Sequence, residues 1–356
     1  MLDWLFRRKR PRLTVVLFEV TARCNNRCIY CYNVWKLRDA TAPADVPTGQ
    51  ALELLRRVAA GRGRWRPRQV SFTGGEPLLR DDLERLVREV VAAGLATNLI
   101  TNGRLLDPDR ARALVAAGCR LFEIPLLAPT AAAHDELAGV PGAFEGAVRA
   151  IGAAKKAGAH AVAAFVAMSR NIDHAADVAR LALALGADGL MFLRFNPGGI
   201  AMDRARELLP TPSQLVAALR ELRAQRQRGG LPVSVSVPIP PCVVDPAELE
   251  GLGTGTCGAG TDRTYLAMSP TGDIRPCNHS PTVLGNLRDA SLRSLVHGKS
   301  YRAFCAARPA ECRACPHLAT CRCGCRAAAE ACWGDLGRLE PLAAAHGRFP
   351  WMDRQG

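Results

Sequence analysis

Between residues 13 and 228, short apolar runs alternate six times with helix-length amphipathic segments, and nothing else in the chain constrains its fold as strongly. Residues 13–20, 69–73, 95–101, 121–124, 159–167 and 190–193 read as strands, rich in Val, Leu, Ile and Phe and bounded by Gly, Pro or Asn. Residues 46–61, 79–93, 107–117, 142–157, 171–186 and 212–228 read as helices; in the first, Leu52, Leu54, Leu55 and Val58 recur at helical spacing. Strands joined by crossover helices lie parallel and buried on both faces. The expected fold is therefore α/β, a partial (β/α)6 barrel of the TIM type, with ligands at the C-terminal ends of the strands.

The composition changes near residue 232. A Pro-, Val- and Ser-rich connector, 231–241, precedes a segment in which nine of the fourteen cysteines lie from Cys257 onward. The expected organisation is a basic arm over 1–12, the barrel over 13–231, and a connector with a cysteine-rich domain over 232–356. At the start of the chain, Arg7-Arg8-Lys9-Arg10 follows the apolar residues, the reverse of a signal peptide. Fourteen cysteines without an export signal favour metal ligation over disulfides, so the expected location is the cytoplasm. No apolar run approaches the ~18 residues of a membrane span. The net charge of +14 suits an acidic partner, yet the charges are scattered and also read as a solvated surface. No recognition motif accompanies them, which argues against a nucleic-acid partner.

The first strand runs into Cys24-Asn25-Asn26-Arg27-Cys28-Ile29-Tyr30-Cys31, three thiols in one short loop. Soft thiolates select iron–sulfur clusters, zinc or cuprous copper. Three ligands without a fourth nearby leave a coordination position open, as a catalytic metal requires. A zinc knuckle or plain buried thiols are the alternatives. This Cys-x3-Cys-x2-Cys spacing, with Tyr30 before the last cysteine, resembles the signature of the radical S-adenosylmethionine (radical SAM) enzymes. The resemblance implies a 4Fe-4S cluster on Cys24, Cys28 and Cys31 whose unique iron binds the amine and carboxylate of SAM. Gly74-Gly75-Glu76-Pro77, after the second strand, resembles the family's GGEP motif and is expected to receive the methionyl ammonium. Thr101 and Asn102 at the third strand exit, and Arg194 beyond the sixth, are the further candidates for SAM contact. The fourth strand departs from many relatives: Pro125-Leu126-Leu127-Ala128 stands where they carry Ser-Leu-Asp-Gly. His134 reads as a loop or cap residue.

The C-terminal cysteines resemble the SPASM extension of the same enzymes: Cys257, Cys277, then Cys312-x2-Cys315-x5-Cys321-x3-Cys325, then Cys332. Residues 264–277 read as a β-hairpin around Ser-Pro-Thr-Gly. The resemblance implies one or two auxiliary iron–sulfur clusters, Cys257, Cys277 and Cys325 serving one and Cys312, Cys315, Cys321 with Cys332 the other. Relatives often close with Asp-Pro-x-Cys, and Glu340-Pro341-Leu342-Ala343 stands here, so Cys332 or Cys323 is expected to replace that ligand. Cys242 is a candidate fourth ligand of the first cluster, and zinc is an alternative for 312–325. Cys119 and Cys305 read as buried thiols.

The activity implied is reductive cleavage of SAM to a 5′-deoxyadenosyl radical that abstracts hydrogen from a ribosomally made peptide, leading to a crosslink, thioether, epimerisation or other oxidation. Radical modification of a small metabolite and sulfatase-type maturation are alternatives; maturases carry Asp where Asn278 stands. A non-enzymatic electron carrier or scaffold is the reading from another class. The expected partners are the peptide, an acidic flavodoxin or ferredoxin as electron donor, and a separate leader-binding protein, since only a dozen residues precede the first strand.

Overall fold

A computed structural model of the protein describes residues 10–36 and 43–347. Strands β1 (Leu13–Glu19), β2 (Gln69–Thr73), β3 (Ala96–Ile100), β4 (Leu121–Pro125), β5 (His160–Ala167) and β6 (Gly189–Arg194) lie side by side in chain order, every neighbouring pair parallel. Leu17, Ser71, Ile100, Glu123, Ala164 and Met191, one from each strand, line a single cavity, so the sheet is wrapped around its inner face. The outer face carries Val16, Phe18, Val70, Phe72, Phe122, Phe165 and Phe192, all fully buried. These pack against Leu54, Leu86, Leu114, Ile151, Val178 and Leu219 of the surrounding helices in one continuous core.

The helices begin and end where local chemistry dictates. Asp107 accepts the Arg110 N–H with Pro108 at the first helical position of Pro108–Ala117, and Gly118 closes that helix in the left-handed region. Thr211 and Gln214 form a capping box at the start of Pro212–Gly229. His134, expected as a loop or cap residue, lies buried within helix Ala131–Ala138, where its Nε2 is 3.4 Å from the Pro125 carbonyl.

The sheet does not stop at six strands. β7 (Val233–Val235) pairs parallel with β6, and β8 (Gly253–Thr254) with β7, so the connector's Val-Ser-Val alternation extends the barrel past residue 232. β9 (Thr264–Met268) and β10 (Asp273–Arg275) form the expected hairpin, and β11 (Gly285–Asn286) pairs with β10. β9 also lies parallel to β1 and covers its other edge, burying Leu266 and Met268. An uncovered β1 edge would leave a row of backbone groups unpaired. The cysteine-rich segment is thus fused to the barrel's first strand. Of the basic arm, residues 1–9 lie outside the described residues.

Candidate cluster and cofactor site

The β1 exit opens into a cavity of about 550 Å³. Cys24, Cys28 and Cys31 line it, each partly buried. The loop carrying them is fixed by its backbone: Arg27 N donates to Ala138 O and Ile29 N to Leu137 O, at the C-terminal end of helix Ala131–Ala138. Burial and the neighbouring Cys31 and Cys24 push the Cys28 thiol up to about 12. A metal ion replaces the proton of a thiol it binds, so a thiol raised in this way fits a metal cluster's cationic partner. Tyr30 lines the same space, and burial raises its phenol well above the ordinary range. Asn26 Oδ1, buried on the cavity wall, has no hydrogen-bond partner among the described residues, an acceptor poised for a ligand's donor.

The Gly74–Pro77 motif packs against the backbone that leads into the cysteine loop. A Cβ on Gly74 would lie 2.4 Å from Thr21 O, and one on Gly75 2.1 Å from Arg23 O. Gly75 N donates to Thr21 O at 2.7 Å and Glu76 N to Arg23 O at 2.8 Å. The glycines therefore admit the backbone that leads into the cysteine loop, although both also line the cavity. Glu76 is 0% exposed and its carboxylate is already occupied. Oε1 accepts from Thr101 Oγ1 at 2.6 Å and Leu78 N at 3.0 Å, and Oε2 accepts from Asn102 N at 2.7 Å. Burial pushes this carboxyl up and the three hydrogen bonds oppose the shift. Glu76 ties the β2 exit to the β3 exit and does not itself line the cavity. Pro77 starts the short helix Pro77–Leu79 and is buried away from the cavity wall. Thr101 and Asn102 do reach the cavity, and Asn102 Nδ2 donates to Asn25 Oδ1 at 2.7 Å.

Arg194 is fully buried, with Nη2 3.1 Å from Glu340 Oε2 and Nε donating to Pro238 O at 2.9 Å. Glu340, at the start of helix Pro341–His346, lies against the guanidinium, and Arg194 is buried behind the cavity wall and does not line it.

The C-terminal thiols fall into two groups. Cys257, Cys277 and Cys325 line the same cavity as the Cys24–Cys31 loop. Asn196 Nδ2 lies 3.5 Å from Cys325 Sγ, and Arg326 Nη1 3.4 Å from Cys257 Sγ. Arg326 is buried, yet its Nε and Nη2 have no partner among the described residues. A buried, half-satisfied guanidinium beside three thiols fits an anionic cluster, which would supply the missing counter-charge. Cys242, Cys312, Cys315, Cys321 and Cys323 line a second, smaller pocket. Cys332 belongs to neither: helix Arg326–Trp333 turns its thiol toward Met202, 3.6 Å from Sδ. Among the described residues no three Cys, His, Asp or Glu side chains close on a single ion-sized point. Cys119 is buried in the core, and Cys305 is half-buried beside Gly260.

Several cavity residues escape a reading of the sequence. Gln69 donates to Asn98 Oδ1 at 2.8 Å and Asn98 to Glu123 Oε1 at 2.6 Å, a polar row across the inner faces of β2, β3 and β4. Glu123 is the one carboxylate on the cavity wall among the described residues, pushed up to about 7 by burial. The available signal was a charged residue inside an apolar strand, Leu121-Phe122-Glu123-Ile124. On the other side, Asn278 Nδ2 donates to the Tyr32 hydroxyl at 2.7 Å, and the His279 ring stacks on Tyr32 at 4.0 Å between centroids. Burial, with Arg194 and Arg275 nearby, lowers His279 to about 3 and keeps it neutral. No local pattern announces this contact, which depends on β9 pairing with β1.

The comparisons with known proteins agree with this architecture. Residues 18–182 match the model of the radical SAM superfamily, and residues 257–316 match SPASM, an iron–sulfur cluster-binding domain. The chain belongs to the radical SAM superfamily, as an enzyme whose cofactors are 4Fe-4S clusters and SAM. It is similar to the PqqA peptide cyclase of Methylocella silvestris, 30% identical over 336 residues that cover 92% of this chain and 86% of the relative. The PqqA peptide cyclase of Gluconobacter oxydans is 28% identical, covering 95% and 92%. In fold the chain resembles native anSMEcpe with bound AdoMet (TM-score 0.69, 17% identity, 94% of each chain). It also resembles Streptococcus suis SuiB bound to precursor peptide SuiA (TM-score 0.70, 15% identity, 92% and 75%). No helix among the described residues is long and apolar enough to cross a membrane.

Proposed function

We propose that this enzyme modifies a ribosomally made peptide by radical chemistry in the 550 Å³ cavity. The observation that carries the reading is that Cys24, Cys28 and Cys31 share one chamber with Cys257, Cys277 and Cys325. The 30% identity to a PqqA peptide cyclase supports a peptide as substrate. In this reading Cys24, Cys28 and Cys31 hold the SAM-binding cluster and Cys257, Cys277 and Cys325 an auxiliary one. When bound, cluster and SAM supply a 5′-deoxyadenosyl radical able to take hydrogen from an unreactive C–H bond.

The chain's own residues position and shield. Asn26, Thr101 and Asn102 face the space beside the loop with polar groups, and a cavity of this size suits an adenosyl ligand. Val15, Leu17, Val166, Met191 and Leu193 give the barrel interior an apolar wall that excludes water. Glu123, ionising near neutral pH, holds or accepts a proton at the oxygen that Asn98 leaves free. Delivery of the peptide by a separate leader-binding protein and reduction by an acidic flavodoxin or ferredoxin complete the proposal. The charge of +14 supports the second.

The test is anaerobic reconstitution followed by SAM, dithionite and a candidate precursor peptide, read as 5′-deoxyadenosine release and as a mass change of the peptide. Nucleoside without any change across precursor peptides encoded beside the chain's own gene would sink the peptide reading. A cluster-loaded enzyme that releases no nucleoside would sink the catalytic one.

A further inference from the structure

The second thiol pocket assigns a ligand that sequence spacing had placed elsewhere. Five cysteines line it: Cys242, just after the connector, and Cys312, Cys315, Cys321 and Cys323 from two successive turns of one later stretch. Cys332 is absent from it and meets Met202 instead. The rest of the wall among the described residues is Pro240, Pro241, Leu318, Leu339, Ala343 and His317, and His317, the one other side chain there able to ligate, comes from the same stretch as Cys312 to Cys323. Helix Pro341–His346 closes one side but contributes Ala343, which has no ligating atom.

We infer that Cys242 supplies the fourth thiolate of an iron–sulfur cluster held by Cys312, Cys315 and Cys321. Cys312, Cys315, Cys321 and Cys323 all belong to one contiguous stretch, and the wall formed by Pro240 and Pro241 lies outside it. Cys242 alone enters from outside that stretch. Its approach is fixed in advance: two prolines precede it, and Val243 N and Val244 N both donate to Pro240 O, at 2.9 and 3.2 Å. The connector also packs on the turn between the two thiol groups, because a Cβ on Gly324 would lie 3.1 Å from Pro240 Cγ. Cys323 lines the pocket too, hydrogen-bonded to Cys312, but it comes from the same stretch as the other three and leaves the Pro240–Cys242 side open. Arg322, Cys323 and Gly324 run consecutively through the left-handed region, at φ of 59°, 68° and 66°. That backbone is costly for residues with a side chain, and it serves to swing Cys321 and Cys325 toward different sites.

The inference rests on reading this C-terminal segment as cluster-binding, and the experiment separates the two. The holoenzyme and its single variants are reconstituted anaerobically with ferrous iron and sulfide. Iron is counted per chain, and the reduced clusters are followed by electron paramagnetic resonance. Cys242→Ala is expected to lose about a third of the iron and one auxiliary signal, as Cys312→Ala does. Cys242→Ser, which offers oxygen for sulfur, is expected to keep iron with a shifted signal. Cys323→Ala and Cys332→Ala are expected to keep both.

Unchanged iron and spectrum in Cys242→Ala alongside loss in Cys312→Ala would overturn the assignment alone. Unchanged iron in both would overturn the cluster reading of the pocket. If Cys242→Ala does not fold, Cys242→Ser decides, since a spectrum identical to the parent's rules Cys242 out.

Discussion

The two thiol regions are built on opposite plans. The Cys24–Cys31 loop draws its thiols from eight consecutive residues and is held by backbone bonds to strand exits and one helix. The C-terminal groups draw theirs from residues between 242 and 325 and depend on long-range contacts to bring them together. β9 pairs with β1, Arg275 pairs with Glu19 and Arg194 pairs with Glu340. A local site needs only its loop, whereas an assembled site needs the whole fold. The sharpest test of that contrast is the loop itself. Cys28→Ala should abolish 5′-deoxyadenosine formation, by about a thousandfold or more, because no other donor can complete the set. Auxiliary iron, measured on the same sample, should stay. Loss of all iron would show that the two regions are not independent.

The next largest effect should come from the buried pair that ties them. Glu19 ends β1 just before the cysteine loop, and Arg275 ends β10 two residues before Cys277; both are almost fully buried. Arg275 also donates to Asn278 O at 3.2 Å and Ser280 O at 3.1 Å. Burial raises the Glu19 carboxyl and Arg275 opposes the rise, so the carboxylate is tolerated only beside its partner. Arg275→Ala should cost about 3–5 kcal/mol in urea unfolding, the price of a stranded buried charge. A cost below about 1 kcal/mol would mean that the strands alone align the two sites.

The same contrast explains what could be read from the residues in order. Six strands, their helices and the hairpin followed from apolar periodicity and turn residues, because those signals are local. So did the grouping of Cys24, Cys28 and Cys31. Glu76 and Arg194 share one feature: a charged residue at a strand exit looks available in the sequence, and only the fold reveals Thr101 and Asn102 on one, Glu340 on the other. Cys332 follows Cys325 closely in sequence, yet the intervening helix carries it out of reach. Cys242 is distant in sequence and meets the pocket because the connector turns back over Gly324.

Glu76→Gln probes the local plan more gently. An amide nitrogen in place of one oxygen would face an N–H or O–H donor already in position, leaving one bond unmade at about 1–3 kcal/mol. The β2 and β3 exits would loosen around the cofactor space without losing a thiol. The expected result is a several-fold higher KM for SAM with iron content unchanged, measured as nucleoside release against SAM concentration. A KM equal to the parent's would show that Thr101 and Asn102 are held without this carboxylate.

The smallest expected effect concerns Glu123, where the barrel interior meets the substrate space. Its carboxyl is raised to about 7, chiefly by burial, with Asn98 opposing. In the unfolded chain a Glu ionises near 4.3. A raised acid favours the folded state while protonated, so its contribution is complete below about 4.3 and is lost as pH climbs through about 7. Because Glu123 is partly open to the cavity, solvent reduces the effect to about 1–2 kcal/mol. Glu123→Gln, which keeps the Asn98 contact within reach but cannot ionise, should flatten stability between pH 5 and 8 in urea unfolding. If Glu123 accepts a proton during turnover, the parent's peptide modification rises through pH 7 and the variant's does not, while nucleoside release without peptide is the same in both. A variant with the parent's pH profile in both measurements would reduce Glu123 to a structural member of the polar row.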